Sequence, residues 1–160
     1  MTSQTQPTFH MRRRDREITD PEKLKDIIKK ATVCHLGLAD CGEPYVVPVN
    51  FGYENDCLYF HSAASGHKVD LLKKNNRVCF EIDGDYSIET TPKNACKVKY
   101  RSIIGGGMAH FLSDHEEKVR GLKAIVRQCV GIDYKIPDDL DDTLVVKIDI
   151  ESLTGKQAVY

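Results

Sequence analysis

Apolar residues fall at every second position in short segments of this chain, and turn residues separate one segment from the next. In TVCHLGLA (32–39), Cys34, Leu36 and Leu38 share one face, the two-residue period of a half-buried strand. The turn DCGE (40–43) leads into PYVVPVNFGY (44–53), also strand-like, so the two read as a hairpin. Pro48 stands in the middle of the second strand. Proline cannot donate to a ladder, so this strand belongs at a sheet edge or at a bulge. After the turn ENDC come CLYFHS (57–62), RVCFEID (77–83), KVKYRSIIGGGMAHFL (97–112) and TLVVKIDIESL (143–153), each with strand character. Six or seven strands, mostly in hairpin succession, suit an antiparallel barrel.

Helical spacing is confined to three stretches. Asp20 and Pro21 supply an N-cap and a first-turn proline, and Leu24, Ile27, Ile28 and Ala31 recur on one face, predicting a helix over 21–31. A second, short helix is expected over 66–75. The third follows Ser113, which with Glu116 forms a capping box; Val119, Leu122, Ile125, Val126 and Cys129 make its apolar stripe. Residues 84–96 read as a polar, irregular insertion, and DDLDD (138–142) as a solvated connection. Residues 1–17, with the run RRRDRE, read as an irregular arm, and 18–160 as one domain. The expected class is mainly β with helices packed outside the barrel.

Several functions are disfavoured. Lys+Arg total 23 against Asp+Glu 24, so bulk electrostatics do not recruit nucleic acid. No apolar run reaches the roughly 18 residues of a membrane span, and no apolar segment follows the charged N-terminus, so the expected location is cytoplasmic. The six cysteines form no CxxC pair and the six histidines no HExxH, so neither a disulfide framework nor a metal site is expected. Cys34 and His35 are adjacent on a strand and face opposite ways, which removes a nucleophile–base pair. Glu81 and Asp83 can share a face but read as solvated.

Three stretches carry candidate chemistry. In SAASGHK (62–68) small residues and hydroxyls precede a helix whose first turn contains Lys68. Converging N–H donors, a helix N-terminus and a cation suit a phosphate. The Walker A pattern fails, because His67 separates Gly66 from Lys68, no Ser or Thr follows, and the upstream glycine is missing. In YRSIIGGG (100–107) the glycines read as a bulge or barrel corner, whereas Arg101 and Ser102 offer a guanidinium and a hydroxyl to an anion. In VVPVNF (46–51) the proline frees backbone donors and acceptors of the kind that a planar heterocycle uses.

Together MRRRDREITD, PYVVPVNFGY, LYFHSAASGHKVDLLKKNNRVCFEID and YRSIIGGG resemble the pyridoxamine 5′-phosphate oxidase-like, FMN-binding split-barrel family, and within it the nitroimidazole-resistance (Nim-like) branch. The resemblance runs from about Met11 to Cys129 in the same order. It implies a six-stranded split barrel and a homodimer with flavin at the subunit interface. Carried over, Val47, Pro48, Val49 and Asn50 line the isoalloxazine ring. His61, Ser62, Ala63, Gly66 and Lys68 hold the ribityl phosphate, and Arg101 and Ser102 complete the pocket. The implied cofactor is FMN, with FAD as the alternative, and NAD(P)H is the expected donor. The implied activity is reduction of a small planar acceptor such as a nitroaromatic. Two alternatives stand beside it: an oxidase of the pyridoxamine-phosphate type, and a non-catalytic flavin- or haem-binding module. The chain lacks Trp, and ESLTGKQAVY does not match the basic C-terminus of the pyridoxal-phosphate-forming members. No catalytic side chain stands out; His61 and His67 are the candidates for moving a proton.

Overall fold

A computed structural model describes residues 11–90 and 96–158. A 3₁₀ turn at Arg14–Arg16 leads to strand β1 (Glu17–Ile18) and helix α1 (Pro21–Lys30). Then come β2 (Val33–Asp40), β3 (Glu43–Asn50), β4 (Gly52–Glu54), β5 (Cys57–Ala63), α2 (His67–Lys74), β6 (Arg77–Thr90), β7 (Cys96–Phe111), α3 (His115–Val130) and β8 (Thr143–Ala158). The strands form one sheet in the order β3-β2-β6-β7-β8-β5-β4, with β1 added on β8 and every pairing antiparallel. Six strands are long; β1 and β4 are short additions.

The two ends of that path, β3 and β4, are consecutive in the chain and separated only by Phe51. The sheet therefore returns on itself through a covalent step and not through a hydrogen-bonded ladder. This is a split barrel. The Thr32 carbonyl anchors the step by accepting from the Phe51 N–H at 3.4 Å and the Asn50 side-chain amide at 3.0 Å. Phe51 itself is fully buried, in a core with Leu36, Leu58, Phe60, Phe80, Ile82, Ile103 and Ile148.

The expected edge position of Pro48 is borne out: β3 pairs only with β2. The glycine reading holds too. The β7–β8 register shifts between Gly106 and Gly107, and a Cβ on Gly105 would enter the Phe80 ring at 2.2 Å. Cys34 is buried, which pushes its thiol up to about 12, while His35 faces out.

Four expectations are corrected. The span 44–53 is not one strand, because β3 and β4 pair with different neighbours, β2 and β5. The insertion at 84–96 is strand as far as Thr90, where β6 continues past an irregularity between Gly84 and Ser87 and pairs Thr90 with Cys96. Residues 91–95 lie outside the described residues, as do 1–10 of the expected arm. The last strand runs five residues past Leu153 to Ala158, held by its ladder with β7. The cap of α3 is Asp114, accepting from the Glu117 N–H at 2.9 Å, and not Ser113. Helix α1 begins as expected, with Asp20 accepting from the Glu22 N–H at 3.0 Å.

Gln128 fastens α3 to the rest. Its Oε1 accepts the Tyr53 N–H at 2.8 Å, and its Nε2 donates to the Ile28 and Ala31 carbonyls at the C-terminal end of α1, the first of which also accepts the Ala31 N–H. No described helix is long and apolar enough to cross a membrane.

Candidate functional site

Strand β5 ends at Ala63, and three exposed small residues carry the chain to α2. Gly66 turns it with φ of +132°, a conformation that side chains resist, and serves as the N-cap with no side-chain bond. The first helical bond runs from the Asp70 N–H to the Gly66 carbonyl. The N–H groups of His67, Lys68 and Val69 thus start the helix without an intrahelical acceptor. No described group engages the hydroxyls of Ser62 or Ser65. Lys68 is half-buried, its Nζ 5.4 Å from the centroid of the Phe60 ring, and burial lowers its pKa. Among the described residues no carboxylate answers it.

Tyr45 of β3 meets His67 edge-on, ring centroids 4.8 Å apart, which seats the start of α2 beside the edge strand. Two of the three predicted stretches are therefore neighbours. Within VPVN the strand period divides the residues. Val47 and Val49 pack toward the core, whereas Pro48 and Asn50 are exposed on the outer face, alongside Val46 at 64% exposure. The β3 edge away from β2 keeps backbone donors and acceptors outside any ladder.

Arg101 and Ser102 lie elsewhere. Along β8, Ser62 pairs with Leu144 and Arg101 with Gln157, some 13 residues on, or roughly 40 Å of strand. The two residues also point to opposite faces of β7. Arg101 is half-buried and donates to Asp85 at 2.8 Å, while Ser102 joins the outer face. One chain brings the loop and the β3 edge together, and leaves Arg101 and Ser102 at the far end of β8.

The outer face is continuous across five strands. Val46, Gly37, Cys79, Gly106 and Ser152 follow one register row, flooring an open groove of about 400 Å³. The next row runs Pro48, His35, Glu81, Ile104 and Thr154. His35 Nδ1 approaches Glu81 at 3.2 Å, and Asp83 joins them with ligand atoms all within 4.8 Å. Glu81 and Asp83 do share a face, then, and His35 completes a solvent-facing polar cluster.

Sequence reasoning missed Tyr45 and Phe60, which wedge His67 and underlie Lys68. Both read only as strand residues, since nothing local tells which helix packs over them. It also missed Tyr100, whose hydroxyl accepts from Arg16 Nη1 at 3.3 Å. The Arg16 bond, with help from Lys156, lowers the phenol's pKa.

An antiparallel split barrel with an uncapped helix start beside its edge strand defines the class. The pyridoxamine 5′-phosphate oxidase family model matches residues 20–157, and the chain belongs to that family. Among solved structures it is similar to a proposed 5-nitroimidazole antibiotic resistance protein from Bacteroides thetaiotaomicron. The two are 34% identical over 88% of this chain and 86% of that one, with a TM-score of 0.81. The flavocytochrome Anf3 from Azotobacter vinelandii is 21% identical over 94% of this chain and 73% of its own, with a TM-score of 0.77. An FAD-binding protein from Mesorhizobium loti is 22% identical over 90% and 98%, with a TM-score of 0.67. None of the curated proteins matches the chain.

Proposed function

We propose that this chain is a flavin-dependent oxidoreductase, an NAD(P)H-linked reductase of a small planar acceptor such as a nitroaromatic, working as a homodimer. The start of α2 carries the reading: N–H groups without a cap, two unengaged hydroxyls and a half-buried ammonium lacking a described carboxylate. That donor set fits the terminal phosphate of FMN. The ring would lie along the β3 edge, where Pro48 and Asn50 are exposed and ladder groups are free. When bound, the flavin supplies the redox chemistry, accepting a hydride equivalent from the nicotinamide and passing electrons to the acceptor. Lys68 holds the phosphate, and Tyr45 and Phe60 keep His67 and Lys68 in place.

The spacing along β8 supports the homodimer reading: Arg101 and Ser102 lie too far from Ser62 to share a flavin with Lys68 of the same chain, so a second copy would contribute whichever of the two faces it. The outer face, with Val33, Val46 and Ile104 exposed at 40% or more, offers apolar area for that contact. The relative assigned to 5-nitroimidazole resistance supports the acceptor class. Reduction draws its protons from water or from His61 and His67, both exposed at this loop.

An absorption spectrum followed by anaerobic titration tests the reading. The expected result is a yellow protein, with a mass twice 18.1 kDa, whose flavin absorbance bleaches with NADH or NADPH. Protein that stays colourless after FMN is added would refute the flavin. Bound flavin that never bleaches would leave a binding module instead of a reductase.

A further inference from the structure

The trio on the outer face of β2 and β6 holds metal-ligand chemistry that flavin binding does not use. His35 of β2 pairs across the ladder with Glu81 of β6, and Asp83 follows two residues on, on the same face. No motif marks these residues, because His35 and Glu81 lie 46 positions apart and only the register joins them. The sheet holds each backbone on its other side: His35 opposite Pro48 of β3, Glu81 opposite Ile104 of β7, and Asp83 opposite Ser102. His35 Nδ1 stands 3.2 Å from Glu81 Oε2, and an Asp83 oxygen lies within 4.8 Å of both. Charge is unbalanced here. Every other acidic side chain on β6 and β8 pairs with a Lys or Arg: Asp85 with Arg101, Glu89 with Lys99, Asp149 with Lys147 and Glu151 with Arg77. Among the described residues Glu81 and Asp83 have no such partner, and one imidazole faces two carboxylates.

We infer that His35, Glu81 and Asp83 bind a divalent transition-metal ion. Donors that share one ion at about 2.0–2.1 Å stand about 3.0–3.4 Å apart, from octahedral to tetrahedral geometry, so the spacing of His35 and Glu81 already fits. An imidazole nitrogen with two carboxylates suits Zn²⁺ and its first-row neighbours. Mg²⁺ and Ca²⁺ prefer oxygen ligands alone, and copper(I) seeks sulfur. The ion takes the place of a proton between His35 and Glu81, and its second charge offsets Asp83. Three protein ligands on an open sheet face leave the remaining positions to water. Neither flavin nor a second copy is needed, since one chain supplies all three ligands.

Calorimetric titration of Zn²⁺ into full-length protein stripped with a chelator tests the site. One ion should bind per chain. Affinity should fall about tenfold or more in His35→Ala and in Asp83→Asn, since losing a ligand costs at least what losing an outer-shell partner does. Both side chains are exposed, so neither change disturbs the core, and thermal melts check that. His110→Ala removes another exposed histidine, the one beside Asp149, and should leave affinity unchanged. Because the chain's six cysteines also attract zinc, Co²⁺ is the second probe, and its spectrum should lack thiolate charge-transfer absorption. Absence of zinc binding would overturn the inference. So would affinity that both variants retain, an equal loss in His110→Ala, or a cobalt–thiolate band. Each of these readings is taken without flavin, so failure here leaves the α2 loop untouched, and failure there leaves this site.

Discussion

Helices α2 and α3 begin in opposite ways. Asp114 caps α3 by accepting the Glu117 N–H, and Glu116 and Glu117 add negative charge to its first turn. The chain itself answers the positive end of that helix. At α2 the cap position is a glycine with no side-chain bond, and the first turn brings Lys68 as well as Asp70. Asp70 is exposed, whereas Lys68 is half-buried beside Phe60, so the buried charge has the same sign as the helix end. One helix start is completed within the fold, and the other is left open for the anion proposed above. Arg101 sharpens the contrast: its charge is met by Asp85 of the same chain.

The largest effect should come from reversing the unanswered charge. Lys68→Glu should weaken FMN about a hundredfold or more, since charge-assisted bonds to phosphate are worth about 1.5–3 kcal/mol and repulsion adds to their loss. Flavin fluorescence quenching measures it. Arg101→Ala, tested the same way, should act through a second copy or not at all, so it should cost less than Lys68→Glu.

Alkaline pH gives the next effect. Burial sets the pKa of Lys68 in the free protein below its ordinary 10.5. Between that lowered value and 10.5 the unfolded chain binds more protons, so Lys68 makes the free fold more stable as pH rises. Phosphate binding favours the ammonium, so FMN affinity should fall over the same window, by up to about tenfold per unit. Opposite signs for stability and affinity in one titration would identify Lys68. Parallel trends would assign the change to other groups.

The caps give the smaller effects. Asp114→Ala and Asp20→Ala should each cost about 1 kcal/mol in urea unfolding and leave FMN affinity alone. Ser113→Ala should change stability by a few tenths of a kcal/mol at most, because Ser113 is not the cap. A flavin effect from the Asp114 variant would blur the distinction between the two helix starts.

Much of this was legible beforehand, for identifiable reasons. Cys34, Leu36 and Leu38 alternate because one face of β2 is core, and Pro48 marked its strand as an edge because proline cannot pair on both sides. The outer half of β6 was not legible: Asp85 through Thr90 are all exposed, so no apolar face imprints a two-residue period there. The end of β8 was hidden similarly, since TGKQA takes its register from β7 and not from its own pattern. At the site, the loop and Lys68 could be read from local chemistry. The separation of Arg101 from Lys68 could not, because it follows from how far each lies along β8, which only the topology decides.

The central claim is that the start of α2 is completed by a ligand's phosphate. Comparing FMN with riboflavin on the wild-type protein tests it most directly, since the two share the ring and differ in that phosphate alone. FMN should bind about a hundredfold tighter, the effect of two or more charge-assisted bonds. Equal affinities would contradict it and leave Lys68 as a half-buried surface lysine.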